Sequence, residues 1–467
     1  MNFETTTKLM PHQVDAVNKL LQTRVGALFM EMGTGKTRTV IDLVRRRQHK
    51  IDKVVYFCPV SLKETIRQEV LKHTTLTEKD IYAFDHKTNM RNIPKVYWYI
   101  VGIESMSSST RTILTTNNLI TENTYVSVDE SSYIKGHRSL RTMRITALSE
   151  RARYRNIMTG TPLSQGVVDL YAQMKFLSPK ILGYNSFYSF AANHLEYSEK
   201  FPGMIVRAHN TEYLAAKIKP YTYQVTKEEC LDLPPKLYET RCFCMTREQL
   251  YWYERVKDDV LSELAIDEWD SVSIFKLFTA LQEIVSGFLN WKGKSYEFES
   301  ERPGEIVDVV RDIPENEKII IFCKFQYDID TIKKALSKEF GKDSVVTFDG
   351  RIPEKKRNVA VEQFRREARF LVATQGTGGH GFNWQDLAAY VIFYNNGFKY
   401  SERMQAEDRI HRPGQTRKTT YIDLHCIDSI DDRIDKAMTK KGNAVRAFKC
   451  EMDRVKKDGI RNLIKAL

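Results

Sequence analysis

The chain has 467 residues and 42% hydrophobic content, a length for about three domains and a composition for folded cores rather than disorder. No apolar run approaches the ~18 residues a membrane span needs, and the opening Met1-Asn2-Phe3-Glu4-Thr5 lacks the basic and apolar regions of a secretion signal. The expectation is a protein that stays in the cytoplasm and has no membrane partner. A formal charge of +12 and a pI near 9.1 favour a polyanionic partner, nucleic acid foremost, although a basic solvated surface meets the charge equally well.

In chain order, short β-rich apolar runs at Val25–Met30, Val54–Cys58, Val96–Val101, Tyr125–Val128 and Asn156–Met158 alternate with charged, helix-compatible segments such as Thr37–Gln48 and Leu62–Lys72. That rhythm predicts a parallel sheet with crossover helices over residues 1–225. Residues 226–300 break it with Leu233-Pro234-Pro235 and helical stretches near Thr246–Val260 and Ser271–Phe288, and read as a linker with helical protrusions. A second series at Lys318–Cys323, Ser344–Phe348, Phe370–Ala373, Tyr390–Tyr394 and Thr419–Leu424 predicts another α/β domain over 301–428. Ser429-Ile430-Asp431-Asp432 then signals a helix start, and a basic helical tail fills 429–467. There are no repeats and no low-complexity segment. The seven cysteines are scattered, without metal-site spacing, and read as structural thiols; Cys242 and Cys244 would share one face of a strand.

Gly33-Thr34-Gly35-Lys36-Thr37 falls where an apolar strand ends and a helix begins, so its backbone amides and the helix dipole would point at phosphates. Lys36 would meet the β- and γ-phosphates of ATP and the Thr37 hydroxyl would bind Mg²⁺. The full phosphate-loop pattern wants glycine where Met30 stands, so a chance glycine turn remains an alternative. Asp129 and Glu130 end the run that starts at Tyr125, an arrangement that lets Asp129 hold Mg²⁺ and Glu130 activate water; two acids after a strand also serve as a helix cap. In Gln405-Ala406-Glu407-Asp408-Arg409-Ile410-His411-Arg412, the spacing predicts one helix face shared by Gln405, Arg409 and Arg412. Arginines supplied to a transferring phosphoryl group are worth about 10³ to 10⁵ in rate, whereas the bland reading is a basic surface helix.

Taken in order, Met10-Pro11-His12-Gln13, Glu31 to Thr37, Cys58-Pro59-Val60-Ser61-Leu62, Asp129-Glu130 with Ile134-Lys135, Thr159-Gly160-Thr161-Pro162, Ile320 to Lys324, Gly378 to Asn383 and Gln405 to Gln415 resemble superfamily-two helicases. More narrowly, Thr-Gly-Thr-Pro with an Arg-x-His-Arg-x-Gly-Gln ending resembles the Swi/Snf family of DNA-translocating ATPases. The resemblance implies two RecA-like lobes using ATP and Mg²⁺ and double-stranded DNA as the partner. It further implies that Gln13 reads adenine, that Thr159 and Thr161 couple the ATP site to the strand-binding surface, and that Ser61, Lys324 and Phe398 contact nucleic acid. Strand separation and an ATP-gated clamp are the rival activities. Ser131 and Ser132 stand where the family has Ala-His, Ile66 where it has tryptophan, Gln165 where it has asparagine and Trp384 where it has leucine, which suggests a divergent bacterial or viral member. The early position of the phosphate loop suggests a minimal motor core, with any targeting left to a protein partner.

Overall fold

The structure, a computed structural model, describes residues 2–163, 166–199, 201, 203–263, 271–352, 354–378, 384–440, 447, 451 and 462–467. The chain divides into two compact units, Met1–Tyr197 with Ile205–Asp232, and Ser198–Met204 with Leu233–Leu467.

In the first unit, seven strands form one parallel sheet: β1 (Val25–Met30), β2 (Lys53–Cys58), β3 (Ile81–Ala83), β4 (Trp98–Gly102), β5 (Thr124–Val128), β6 (Tyr154–Met158) and β9 (Thr222–Val225). Their order is β3-β4-β2-β5-β6-β1-β9, and a separate antiparallel hairpin joins β7 (Leu195–Tyr197) to β8 (Ile205–Ala208). Side chains alternate across the sheet, so β2 sends Val55 and Phe57 into one core and Val54, Tyr56 and Cys58 into the other. Burial on both faces is why these strands read as continuous apolar runs. β3 and β9 lie at the two edges, where a single partner suffices and no long apolar run is needed; neither stands out in the sequence.

The second unit repeats the plan with β10 (Lys236–Phe243), β13 (Lys318–Cys323), β14 (Val345–Phe348), β15 (Phe370–Thr374), β16 (Ala388–Phe393) and β17 (Thr419–Cys426) in the parallel order β10-β17-β16-β13-β15-β14. Ile319, Ile321 and Cys323 enter one core and Ile320 and Phe322 the other. β10 also escapes sequence reading: Leu237 to Thr240 are all exposed on this edge strand. Between β10 and β13, β11 (Phe288–Trp291) and β12 (Lys294–Glu297) form a hairpin. The helices Arg247–Glu263 and Ser271–Ser286, within the segment expected as a linker, place Tyr253, Val256, Ile274, Leu277, Leu281 and Ile284 in the second unit's core. Ser429 caps the helix Ile430–Thr439 as its sequence implies, its hydroxyl accepting from the Asp431 amide. The Leu467 carbonyl accepts from the Tyr253 hydroxyl at 2.8 Å, so the last described turn packs on this core. Most of the expected basic tail, residues 441–446, 448–450 and 452–461, lies outside the described residues.

Candidate active site

Three chain segments converge at the C-terminal edge of the first sheet. The loop after β1 carries Gly33 and Gly35 in the left-handed region, φ +79° and +81°, before the helix Lys36–Arg47 starts. A Cβ on Gly35 would sit 2.1 Å from Gln13 Nε2, so glycine is required there on two counts. Gln13 itself is buried; its Nε2 donates to the Thr34 carbonyl at 3.1 Å and its Oε1 accepts from the Met10 amide at 3.0 Å. The residue expected to read adenine thus also fixes the loop's backbone, helped by the His12 imidazole, whose Nε2 donates to the same carbonyl at 2.8 Å. Thr34 is buried and its hydroxyl donates to the Glu31 carbonyl. Lys36 folds back, donating to the Met30 and Glu31 carbonyls at 3.0 and 3.1 Å, which keeps its ammonium at the mouth of the loop.

β5 lies two strands from β1 and is followed directly by Asp129. Burial pushes the Asp129 carboxyl up to about 6; the nearby Lys36 charge opposes this and the Glu130 carboxylate adds to it. The Tyr56 hydroxyl donates to Asp129 Oδ2 at 3.2 Å, and the Thr37 side chain lies near the same hydroxyl. A buried carboxylate lacking a full counter-charge, with a hydroxyl opposite, fits Mg²⁺, which takes one or two protein oxygens and completes its octahedron with phosphate and water. Glu130 adopts φ +48°, ψ +60°, a left-handed conformation uncommon outside glycine, which turns its side chain off the line of the strand.

The Glu130 carboxylate is held by two hydroxyls. Thr159, directly after β6, donates to Oε1 at 2.8 Å, and Ser132 donates to the same oxygen at 2.9 Å. Thr159 Oγ1 in turn accepts from the Thr161 amide at 3.1 Å. Gly160 lies against the phosphate loop: a Cβ there would be 3.3 Å from the Met32 amide nitrogen. The third fixing residue, Gln173, escaped sequence reading. It is buried, its Oε1 accepts from the Ser131 hydroxyl at 2.6 Å, and its Nε2 donates to the Pro162 carbonyl at 3.0 Å. The two serines that replace Ala-His therefore each make a hydrogen bond within the site. Glu31 was also missed; its carboxylate accepts from the Lys227 amide at 2.7 Å and ties the loop to the segment after β9. Ser61 lies exposed on a short 3₁₀ turn after β2, and Ile66, in the tryptophan's place, is buried.

In the second unit, two expected nucleic-acid contacts meet each other. The Lys324 ammonium stands 3.3 Å from the centre of the Phe398 ring and donates to Gln282 Oε1 at 2.5 Å. Burial pulls its pKa down to about 7 against the opposing fields of Glu402, Asp328 and Glu283. Phe398 is only 5% exposed, with Phe275 and Phe278 edge-on to it at 5.6 and 5.8 Å. Its ring faces are therefore enclosed by side chains, because the helix Ser271–Ser286 covers the position.

The helix expected to carry Gln405, Arg409 and Arg412 on one face is shorter than the spacing implied. It runs Tyr400–Glu407; Gln405 lies within it, but Asp408–Ile410 form a turn and Arg412 follows in a loop. Pro413 and Gly414, the latter at φ +101°, redirect the chain, and His411 Nε2 donates to the Pro234 carbonyl at 2.8 Å instead of sitting on a helix. The buried hub of this segment is Arg403, which the sequence reading passed over. It donates to Glu407 at 2.8 Å, to Asn396 at 3.0 Å and to both carboxylate oxygens of Asp423, with its guanidinium over the Phe393 ring. Of the expected Gly378–Asn383 motif, residues 379–383 lie outside those described, as does Gln165.

Two parallel-sheet units in this order, the first with a phosphate loop facing paired carboxylates, place the chain among ATP-hydrolysing helicase-type enzymes. The chain belongs to the SNF2-related family: the SNF2-related domain matches residues 12–289, and a helicase conserved C-terminal domain matches residues 303–414. An uncharacterized ATP-dependent helicase of Mycoplasma genitalium is 26% identical over 329 residues, 69% of this chain and 30% of the relative. The human DNA annealing helicase and endonuclease ZRANB3 is 24% identical over 426 residues, 87% of this chain and 37% of the relative. The chain thus spans about a third of the length of these relatives. The Hef helicase domain of Pyrococcus furiosus shares the fold, with a TM-score of 0.59 at 12% identity, covering 92% of this chain and 98% of that one. No helix among the described residues is long and apolar enough to cross a membrane.

Proposed function

We propose that the protein is an ATP-dependent double-stranded DNA translocase that remodels protein–DNA complexes or branched DNA. The observation that supports this most directly is the Thr159–Glu130 hydrogen bond at 2.8 Å, which links the segment after β6 to the carboxylate at the end of β5. In this reading, Gly33, Thr34, Gly35 and Lys36 hold the phosphates, Lys36 exchanging its two loop carbonyls for phosphate oxygens, and Gln13 meets the adenine. Thr37 and Asp129 hold Mg²⁺, which when bound neutralises phosphate charge. Glu130 orients and deprotonates the attacking water. Arg409 and Arg412 supply positive charge to the transferring phosphoryl group, and Gln405 a neutral amide donor. Thr159 and Thr161 carry the change at Glu130 to the DNA-contacting segments, where Ser61, Lys324 and Phe398 act. Phe398 would have to leave its packed position to stack on a base.

The net charge of +12 supports a backbone-directed, sequence-independent and salt-sensitive contact. A relative named for DNA annealing favours DNA over RNA. Targeting by a protein partner, and a bacterial or virus-infected cytoplasm as the setting, belong to the same proposal. The test is the ATPase rate of wild type and Glu130→Gln with duplex DNA, single-stranded DNA and RNA in turn. Stimulation by duplex, lost in the variant, is expected; stimulation only by single strands or RNA points to strand separation, and none at all to a clamp.

A further inference from the structure

The edge of the first sheet opposite the phosphate loop carries a second concave feature. A basin of about 970 Å³ is lined by residues that precede or open four strands: Arg24 and Val25 at β1, Glu122 before β5, Arg153 and Arg155 at β6, and Tyr221 before β9. Arg151 and Lys180 complete its charged rim, so five cationic side chains face two carboxylates, Glu122 and Glu150. Glu122 is taken by Arg153, and Arg151 donates to the Asn117 carbonyl and side-chain oxygens. Arg24, Arg155 and Lys180 enter no ion pair among the described residues, although Glu150 acts on Arg155 through its field. The Arg155 Nε atom is buried without a hydrogen-bond partner there, and burial lowers its pKa. Arg155 lines the basin as a cation without an ion pair among the described residues, and an anion bound there would supply its counter-charge. Val25, Ala152 and Ile181 also line the basin, beside the Tyr221 ring.

We propose that this basin binds a small organic phosphate, its phosphate on Arg24, Arg155 and Lys180 and its apolar or planar part against Ile181 and Tyr221. Guanidinium forks match phosphate oxygens in pairs, and the adjoining apolar wall selects an ester over the bare ion. The site is separate from the phosphate loop, because the two occupy opposite ends of the same parallel strands.

Hydrogen–deuterium exchange of the full chain, with ADP, inorganic pyrophosphate or duplex DNA as probes, tests the assignment. ADP is expected to protect peptides covering 20–25, 149–156 and 178–182, read separately from the loop at 31–37, so failure of one site is distinct from failure of the other. Arg24→Gln with Lys180→Gln, both exposed positions, should weaken basin protection about tenfold and leave protection of 31–37 unchanged. Arg155→Gln should act likewise. Protection at 31–37 alone overturns the proposal, as does basin protection by duplex DNA and not by ADP. Pyrophosphate as potent as ADP would overturn the organic half of it.

Discussion

The Thr159 hydroxyl donates to Glu130 Oε1 at 2.8 Å, and the same threonine oxygen accepts the Thr161 amide at 3.1 Å. One side chain thereby reads the carboxylate at the end of β5 and fixes the turn that leaves β6. Thr159→Val keeps the shape and removes both bonds. Expected are a loss of about 1 kcal/mol in stability and a fall of roughly tenfold in kcat with little change in the KM for ATP, with Thr159→Ser restoring most of it. Equal kcat values for the valine variant and wild type would remove the coupling role.

Asp129 supplies a pH signature. Its folded pKa of about 6 lies above the ordinary 3.8, so its contribution to stability is fully present below the lower value and lost as pH rises through the upper. The difference corresponds to about 3 kcal/mol. Asp129→Asn, which cannot ionise, should therefore melt higher than the nucleotide-free wild type at pH near 7.5 and together with it near pH 4. A melting difference that is flat across pH would contradict the burial argument. Nucleotide-bound Mg²⁺ should also bind more weakly below about pH 6, where protons compete for the carboxylate.

Phe398 distinguishes a core role from a surface role. Because its ring is enclosed by Phe275, Phe278 and Lys324, Phe398→Ala should cost about 3–5 kcal/mol in the second unit, measured by denaturant unfolding. An exposed stacking residue would cost almost nothing on truncation.

Arg403 is a buried cation whose loss should destabilise the second unit strongly. Arg403→Met leaves Glu407 and Asp423 buried or half-buried without their shared cation, and breaking such a pair costs about 3–5 kcal/mol. Lys236 still reaches Glu407 at 2.8 Å, so Asp423→Asn together with Arg403→Met should recover part of the loss. A fully stable Arg403→Met protein would show that the network is dispensable.

The phosphate loop, the carboxylate pair and the strand-and-helix rhythm were legible because each is written in adjacent residues. A glycine that must turn left-handed, an acid that ends a buried strand and an apolar run of five or six residues are local requirements. Within the two parallel sheets, the three strands that stayed hidden, Ile81–Ala83, Thr222–Val225 and Lys236–Phe243, are sheet edges, where one hydrogen-bonded neighbour replaces the apolar run; the four short strands of the two hairpins stayed hidden as well.

The amino-acid sequence by itself determined the fold class and the family, and it singled out the glycines, Lys36, Asp129, Glu130 and Thr159 that come together in the first unit. Only the tertiary structure decided what those groups touch. Gln173 and Tyr56 join the site across 42 and 73 positions of chain, distances at which no periodicity operates. Phe398 is enclosed because a helix more than a hundred residues earlier packs over it, and the helix at 400 stops at Glu407, after which a turn and then Pro413 and Gly414 carry the chain on. Local sequence sets what a residue can do; burial and long-range hydrogen bonds set whether it is in a position to do it.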